Sequence, residues 1–329
     1  MKILKHFRLA IFLSLTLIYS GPLFAESDKS DSRPNFVLII GDDISQDDFG
    51  CYGNPNIRTP NIDRLAAEGM LFTNAYLTTS QCSPTRCSVI TGRYPHNTGA
   101  PELHMPLPEG QVMFPEILKN NGYYTAASGK WHMGSYARKA FDKINSGGPG
   151  GEGRWVDCLE NRPKDKPFFM WFAAYDAHRG WDDKIELKRH RPEDVVLPPY
   201  MVDIPEVRAD MARYYDEVQR LDRYTGYVVE ELKKQGVLDN TVIIFMADNG
   251  RPFWRAKTRL YDSGIKTPFV VHWPDRIKKG IRCDSLVSVI DIAPTVLQLA
   301  GIKTPETVQG RSFTKLLQNP GASICKYVF

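Results

Sequence analysis

Three stretches of the chain are apolar without interruption: Asn35-Phe-Val-Leu-Ile-Ile40, Phe168-Phe-Met-Trp-Phe-Ala-Ala174 and Val242-Ile-Ile-Phe-Met-Ala247. A strand with one wet face alternates apolar and polar residues, so runs without alternation must be covered on both faces. Residues 71–76, 124–128 and 269–272 are shorter strand candidates. Between them, 59–69, 207–235 and 291–300 space their apolar residues as helices do; Met211, Tyr214, Tyr215, Val218 and Leu221 form the stripe of the longest. Strands alternating with helices predict an α/β fold, a mainly parallel sheet sandwiched by helices. The Gly-rich stretch 146–153 reads as a flexible surface connection.

The two ends of the 329-residue chain read differently from its middle. Residues 1–25 carry Lys2, Lys5 and Arg8, an apolar stretch from Leu9 to Tyr19, and then Ser20, Gly21 and Ala25 before a polar segment. That is the layout of a secretory leader cut after Ala25, with an apolar run too short for a span of about 20 residues. The mature protein is therefore expected to be secreted or periplasmic, with no stable membrane insertion once the leader is removed. The formal charge of +4 falls to +1 when the leader's three bases are removed, which leaves no electrostatic footprint for nucleic acid. Cys51, Cys82, Cys87, Cys158, Cys283 and Cys325 show neither repeated spacing nor a CxxC pair, so disulfide pairing stays open. At the other end, Lys326-Tyr-Val-Phe329 reads as a strand that starts and stops without a partner. The expected organisation is a leader at 1–25, a linker at 26–34, a catalytic domain at 35–318 and, at 319–329, the truncated start of a C-terminal subdomain that is otherwise missing.

Chemistry is expected where the buried strands end, because open α/β sheets collect ligands at the carboxyl ends of their strands. The first long run ends in Asp42-Asp43 and the third in Asp248-Asn249. Adjacent carboxylates repel one another when desolvated and call for a cation or for solvent. Three carboxylates and an amide carbonyl suit Ca²⁺ first and Mg²⁺ second, rather than Zn²⁺. A helix cap at Asp42-Asp43 and an Asn-Gly turn at Asn249-Gly250 are the alternatives.

The densest motif is Ser80-Gln-Cys82-Ser83-Pro84-Thr85-Arg86-Cys-Ser-Val-Ile-Thr-Gly92. Pro84 fits a first helical turn, which puts Cys82 at a helix N-terminus that favours anions and lets Arg86, one turn on, reach back. The motif resembles the sulfatase signature C-x-P-x-R followed by an apolar pair and Thr-Gly. Gly122-Tyr-Tyr-Thr-Ala-Ala-Ser-Gly129-Lys130-Trp131-His132 is similar to the family's second signature. Arg93-Tyr-Pro-His-Asn-Thr-Gly99, Asp176-Ala-His178, Met246-Ala-Asp-Asn-Gly250 and Lys257-Thr-Arg-Leu-Tyr-Asp-Ser-Gly-Ile-Lys-Thr-Pro268 follow in the family's order. The resemblance runs from about Asn35 to Leu317 and implies an alkaline-phosphatase-like fold.

It also implies a reaction. In that family the cysteine is oxidised by a maturation enzyme to formylglycine, whose hydrate attacks sulfur. Carried over, Asp42, Asp43, the residue made from Cys82, Asp248 and Asn249 would hold the divalent ion, and Lys130 and Lys257 would bind sulfate charge. Arg86 would support the nucleophile, His178, alone or with Lys257, would protonate the leaving group, and His132 would act as the base that releases sulfate. The runs Asp176-Ala-His178-Arg179 and Asp248-Asn-Gly-Arg-Pro-Phe253 resemble the sulfamidase branch, which makes His104, Asp176 and Arg179 candidates for recognising a sulfated sugar or polysaccharide; Asp176 alternatively orients His178. O-sulfate and N-sulfate both remain open. His190 and Lys266 are expected to be solvated, His272 to be a core residue and His96 to be structural. The competing readings are a two-zinc phosphatase or phosphodiesterase of the same superfold and an inactive glycan-binding fragment.

Overall fold

Every residue of the strand Asn35–Gly41 is buried, and the rest of the molecule is arranged around it. The computed structural model describes residues 33–329 other than Glu152. The leader and nearly all of the expected linker therefore lie outside the described residues. Ten strands are described: β1 (Asn35–Gly41), β2 (Met70–Phe72), β3 (Ala75–Tyr76), β4 (Tyr124–Gly129), β5 (Lys143–Asn145), β6 (Phe168–Ala173), β7 (Thr241–Ala247), β8 (Phe269–His272), β9 (Ile281–Cys283) and β10 (Val287–Ser288). Eight of them form one sheet in the order β5-β4-β6-β1-β7-β8-β2-β9. The five from β5 to β7 are parallel, whereas β8 runs antiparallel to both β7 and β2.

The uninterrupted apolar runs serve two separate cores. Phe36, Leu38 and Ile40 face a layer containing α2 (Cys82–Thr91), α4 (Phe114–Asn120), α8 (Ile292–Leu299) and α9 (Thr314–Gln318). Val37 and Ile39 face α1 (Pro60–Ala67), α5 (Trp155–Glu160) and α6 (Pro205–Lys234). Two short helices, α3 (Pro95–Thr98) and α7 (Asp262–Ile265), complete the set among the described residues. Burial on both faces is why alternation was absent from the sequence.

Four expectations need correction. Residues 71–76 are not one strand: Thr73 and Asn74 bond to Asp284 and break the run, leaving β2 in the large sheet and β3 paired with β10 in a small one. The Gly-rich stretch is not a loose surface link. Gly147, Gly148 and Pro149 are buried, and the Pro149 carbonyl accepts the amides of Tyr175 (2.8 Å) and Asp176 (3.2 Å), clamping the chain beyond β6. Residues 326–329 form no strand; Phe329 lies against Tyr94 instead, ring centroids 6.3 Å apart. His190, expected in solvent, is buried, with its Nδ1 2.9 Å from Asp216 Oδ1. His272 is buried as expected, while His96 is exposed and stacks on Tyr94.

All six cysteines are free thiols. Among the described residues no helix is long and apolar enough to cross a membrane.

Candidate active site

Four neighbouring parallel strands, β4, β6, β1 and β7, deliver their carboxyl ends to one place. Directly after them come Lys130, the segment 174–182, Asp42-Asp43 and Asp248-Asn249. The close approach has a local requirement at Gly129, whose φ is +100° and where a Cβ would lie 1.8 Å from the Ala173 carbonyl oxygen. Only glycine fits there, and it lets Lys130 turn in across the end of β6.

Cys82 begins α2 on the other side of this row of strand ends. Its Sγ lies 3.5 Å from Asp42 Oδ1 and 3.6 Å from Asp43 Oδ1, and it is 1% exposed. Asp42, Asp43, Cys82 and Asp248 each offer an atom within 4.8 Å of the others, and all four are buried. Three cations stand among the three acids. Arg86 donates to Asp248 Oδ2 through Nε (2.9 Å) and Nη2 (2.6 Å), Lys130 pairs with Asp42, and Lys257 Nζ is 2.7 Å from Asp43 Oδ2. Arg86 thus supports the acid opposite the thiol rather than reaching back to the thiol itself. Asn249 Nδ2 donates to Asp43 Oδ1 at 2.7 Å, whereas its buried Oδ1 has no partner.

Burial and the charge of Asp43 raise the Asp42 carboxyl above the ordinary carboxylate range, and burial and Asp42 raise Asp248. Burial, then Asp248, Asp42 and Asp43, push the Cys82 thiol well above its usual value, so it stays protonated and is a poor nucleophile as it stands. Burial pulls the Lys130 and Lys257 ammonium groups down, but Asp42 and Asp43 outweigh it, so both remain charged. Crowded, buried carboxylates beside an unsatisfied amide oxygen are what a hard divalent cation requires. The donor set fits such an ion. It contains no histidine, and no second cluster of this kind occurs among the described residues, which removes the basis for a two-zinc site.

Three histidines border the cluster. His178 Nε2 is 4.0 Å from Asp43 Oδ2, with its side chain half exposed toward the cleft. His132 Nε2 is 2.7 Å from His104 Nδ1, and its buried Nδ1 has no partner. Burial, then Lys130, Arg86 and His104, lower the His132 pKa to about 4, so the ring is neutral near pH 7. Asp43, His104, His132, Arg255 and Thr258 are the five non-glycine residues with positive φ among those described, and all lie in the loops around the cluster. Concentrated backbone strain of this kind marks functional sites.

Two recognition candidates line the cleft and are paired within the protein. Asp176, at the wall of the cleft that contains Lys130, His132 and His178, is buried in a two-point pair with Arg220, at 2.7 Å on both sides, and makes no bond to His178, whose Nδ1 lies against the Arg179 carbonyl. Arg179 spends its guanidinium on Asp210 (3.2 and 2.8 Å) and lies over Trp181 and Phe253. Sequence reasoning missed Arg220, which reaches from α6 to Asp176 and Asp182 and so holds the loop that carries His178. The one available signal was a charge beside Leu221 in the apolar stripe.

The sulfatase family model matches residues 34–157 and 153–302, which include every group just described. The chain belongs to the sulfatase family. It is 30% identical to human N-sulphoglucosamine sulphohydrolase over 312 residues, covering 83% of this chain and 62% of that protein. It is 28% identical to an ulvan-active sulfatase of Formosa agariphila over 371 residues, covering 97% and 72%. Among solved structures, Ps i-CgsB in complex with k-i-k-neocarrahexaose superposes with a TM-score of 0.70 at 28% identity, over 87% of this chain and 76% of that one. This sulfatase chain therefore spans about two thirds of the length of the two curated relatives, and it has the alkaline-phosphatase-like fold of the solved sulfatases it superposes on.

Proposed function

We propose that the protein hydrolyses sulfate esters, or N-sulfo groups, of a sugar or polysaccharide, and that Cys82, converted to formylglycine by a maturation enzyme, is the nucleophilic residue. The observation that carries this reading is the placement of Cys82 at the start of α2, within 3.6 Å of two buried carboxylates and among two lysines and an arginine. A protonated thiol is a poor nucleophile here, whereas a hydrated aldehyde at the same Cβ would present oxygen to the cluster.

Asp42, Asp43, Asp248 and Asn249 would hold a divalent cation, Ca²⁺ by the hardness of the donors, with Mg²⁺ the alternative. When bound, the ion would lower the pKa of a coordinated hydroxyl and neutralise sulfate oxygens. The chain's own groups do the rest. The N-terminus of α2, at which Cys82 stands, favours an anion. Lys130 and Lys257, charged and paired with Asp42 and Asp43, bind sulfate oxygens as charge shifts onto them. His178, half exposed at the cleft, gives a proton to the departing sugar oxygen or nitrogen. His132, kept neutral by burial and by Lys130 and Arg86, is free to accept the proton whose removal expels sulfate. His104 fixes the His132 ring through their 2.7 Å contact. The leader-like residues 1–25 support export to the medium or a periplasm, where polysaccharide is met.

The test has two parts. The protein is produced with a formylglycine-generating enzyme, and the peptide containing Cys82 is probed with a hydrazide. Sulfate release is then followed on O-sulfated sugars and on N-sulfoglucosamine. We expect an aldehyde at residue 82 and turnover that Cys82→Ala abolishes. Uniform alkylatable thiol, or turnover surviving Cys82→Ala, overturns the reading.

A further inference from the structure

Trp254 is the most exposed of the large apolar side chains among the described residues, at 83%. An indole held in water is rare without a partner. This one is not on a loose tip. Three residues before it, Arg251 is buried, with Nε 2.9 Å from Asp48 Oδ2 and a further pair to Asp47. Three residues after it, Lys257 is tied to Asp43. Between and just beyond these anchors, Arg255 (φ +61°) and the β-branched Thr258 (φ +68°) hold left-handed conformations that such residues seldom adopt.

Beside the indole is an apolar hollow of about 570 Å³ lined by Tyr200, Met201, Val202, Ile204 and Phe253. Arg179 forms the wall between this hollow and the cleft that contains Lys130, His132 and His178. The wall is rigid: Arg179 is paired with Asp210, bonded to the Pro252 carbonyl (3.3 Å) and stacked on two aromatic rings. Three residues of fully extended chain reach at most about 11 Å, which bounds the separation of the Trp254 and Lys257 backbones and keeps the indole on the same loop as a lysine of the acidic cluster.

We propose that Trp254 and this hollow form a subsite for the sugar unit adjoining the sulfated one, with the C–H face of a pyranose ring laid on the indole. The proposal rests on the sulfated-sugar reading above and extends it to a substrate of more than one ring. Continuity with the cleft through Arg179 favours substrate over a protein partner. The chemistry of the rim agrees: the Asp210 carboxylate, already accepting from Arg179 and Trp181, retains lone pairs for a sugar hydroxyl.

The test compares wild type, Trp254→Ala and Trp254→Phe in the matured full chain. The substrates are a heparan sulfate tetrasaccharide and an ulvan oligosaccharide, set against two single-ring compounds, N-sulfoglucosamine and glucosamine 6-sulfate. The expected result is that the ratio of kcat/KM for the better oligosaccharide to that for the better single-ring substrate falls about tenfold in Trp254→Ala, mainly through KM, and recovers in Trp254→Phe. A ratio within twofold of wild type overturns the subsite. In parallel, Cys82→Ala protein with and without Trp254 is titrated with the same oligosaccharides. Quenching that requires Trp254 supports the shelf even if no substrate releases sulfate, in which case only the hydrolytic reading fails. Loss of concentration-dependent self-association in Trp254→Ala, with the kinetic ratio intact, assigns the indole to a protein contact and overturns the proposal.

Discussion

At the scale of single residues, the site is an exercise in charge placed where water is absent. Asp248 and Arg86 have fully buried side chains and meet at 2.6 Å. Asp248→Asn leaves the guanidinium with only the more distant Asp42, 3.9 Å away, and breaking such a buried pair costs up to about 3–5 kcal/mol; urea denaturation should read a loss of that order or somewhat less. His132 gives a pH signature. Its pKa falls from 6.5 to about 4 on folding, so between those values the unfolded chain takes up a proton that the folded chain refuses. Its contribution is therefore neutral above about pH 6.5, opposes folding increasingly as pH falls, and levels off below about pH 4. The stability curve of His132→Asn should be flatter than wild type across that window, and an equal slope would assign the acid limb to other groups. The strand-end position of Asp42, Asp43 and Asp248 was legible because a long apolar run announces its own end. The fate of Asp176 was not, because its partner Arg220 lies 44 residues away on a helix, and a long-range pair leaves no local pattern. His190 misled for the same reason: its neighbours Arg189 and Arg191 are polar, but Asp216 draws the ring inward.

At the scale of elements, the site depends on how strands stop. Gly129 allows β4 to end against the Ala173 carbonyl, and any side chain there must move one of the two strand ends. Gly129→Ala combines a left-handed φ with a backbone clash and should destabilise the fold by at least about 1–3 kcal/mol. It should also depress sulfate turnover beyond the stability loss, because Lys130 is the next residue; activity assayed well below the variant's Tm separates the two effects. Strands and helices were legible from apolar period alone wherever they were long. The short elements were not: β3 departs from β2 because Asp284 captures Thr73 and Asn74, and the glycine stretch is buried because Pro149 caps the segment after β6. Both effects are tertiary, and composition misreads them as a continuous strand and a loose linker.

At the scale of the whole molecule, a cation held by the residues that follow β1 and β7 would tie the two central strand ends together, so it should stabilise the folded state as a unit. With Ca²⁺ at a hundred times its Kd, linkage supplies about 2.7 kcal/mol, which for a chain of this size is a Tm rise of roughly 4 °C. Calorimetry with and without a chelator checks this, and Asp43→Asn should remove most of the rise. Sequence order matters as well. The partner of Arg86 is Asp248, 162 residues further along. A ribosome adding about 5–20 residues per second needs roughly 8–32 s to cover that distance. For nearly all of that interval β7 has not been made, and the wall it contributes around Cys82 does not yet exist. The thiol that ends 1% exposed therefore passes through a period of open access during synthesis, and any catalyst that rebuilds it has those seconds in which to work before the sheet closes.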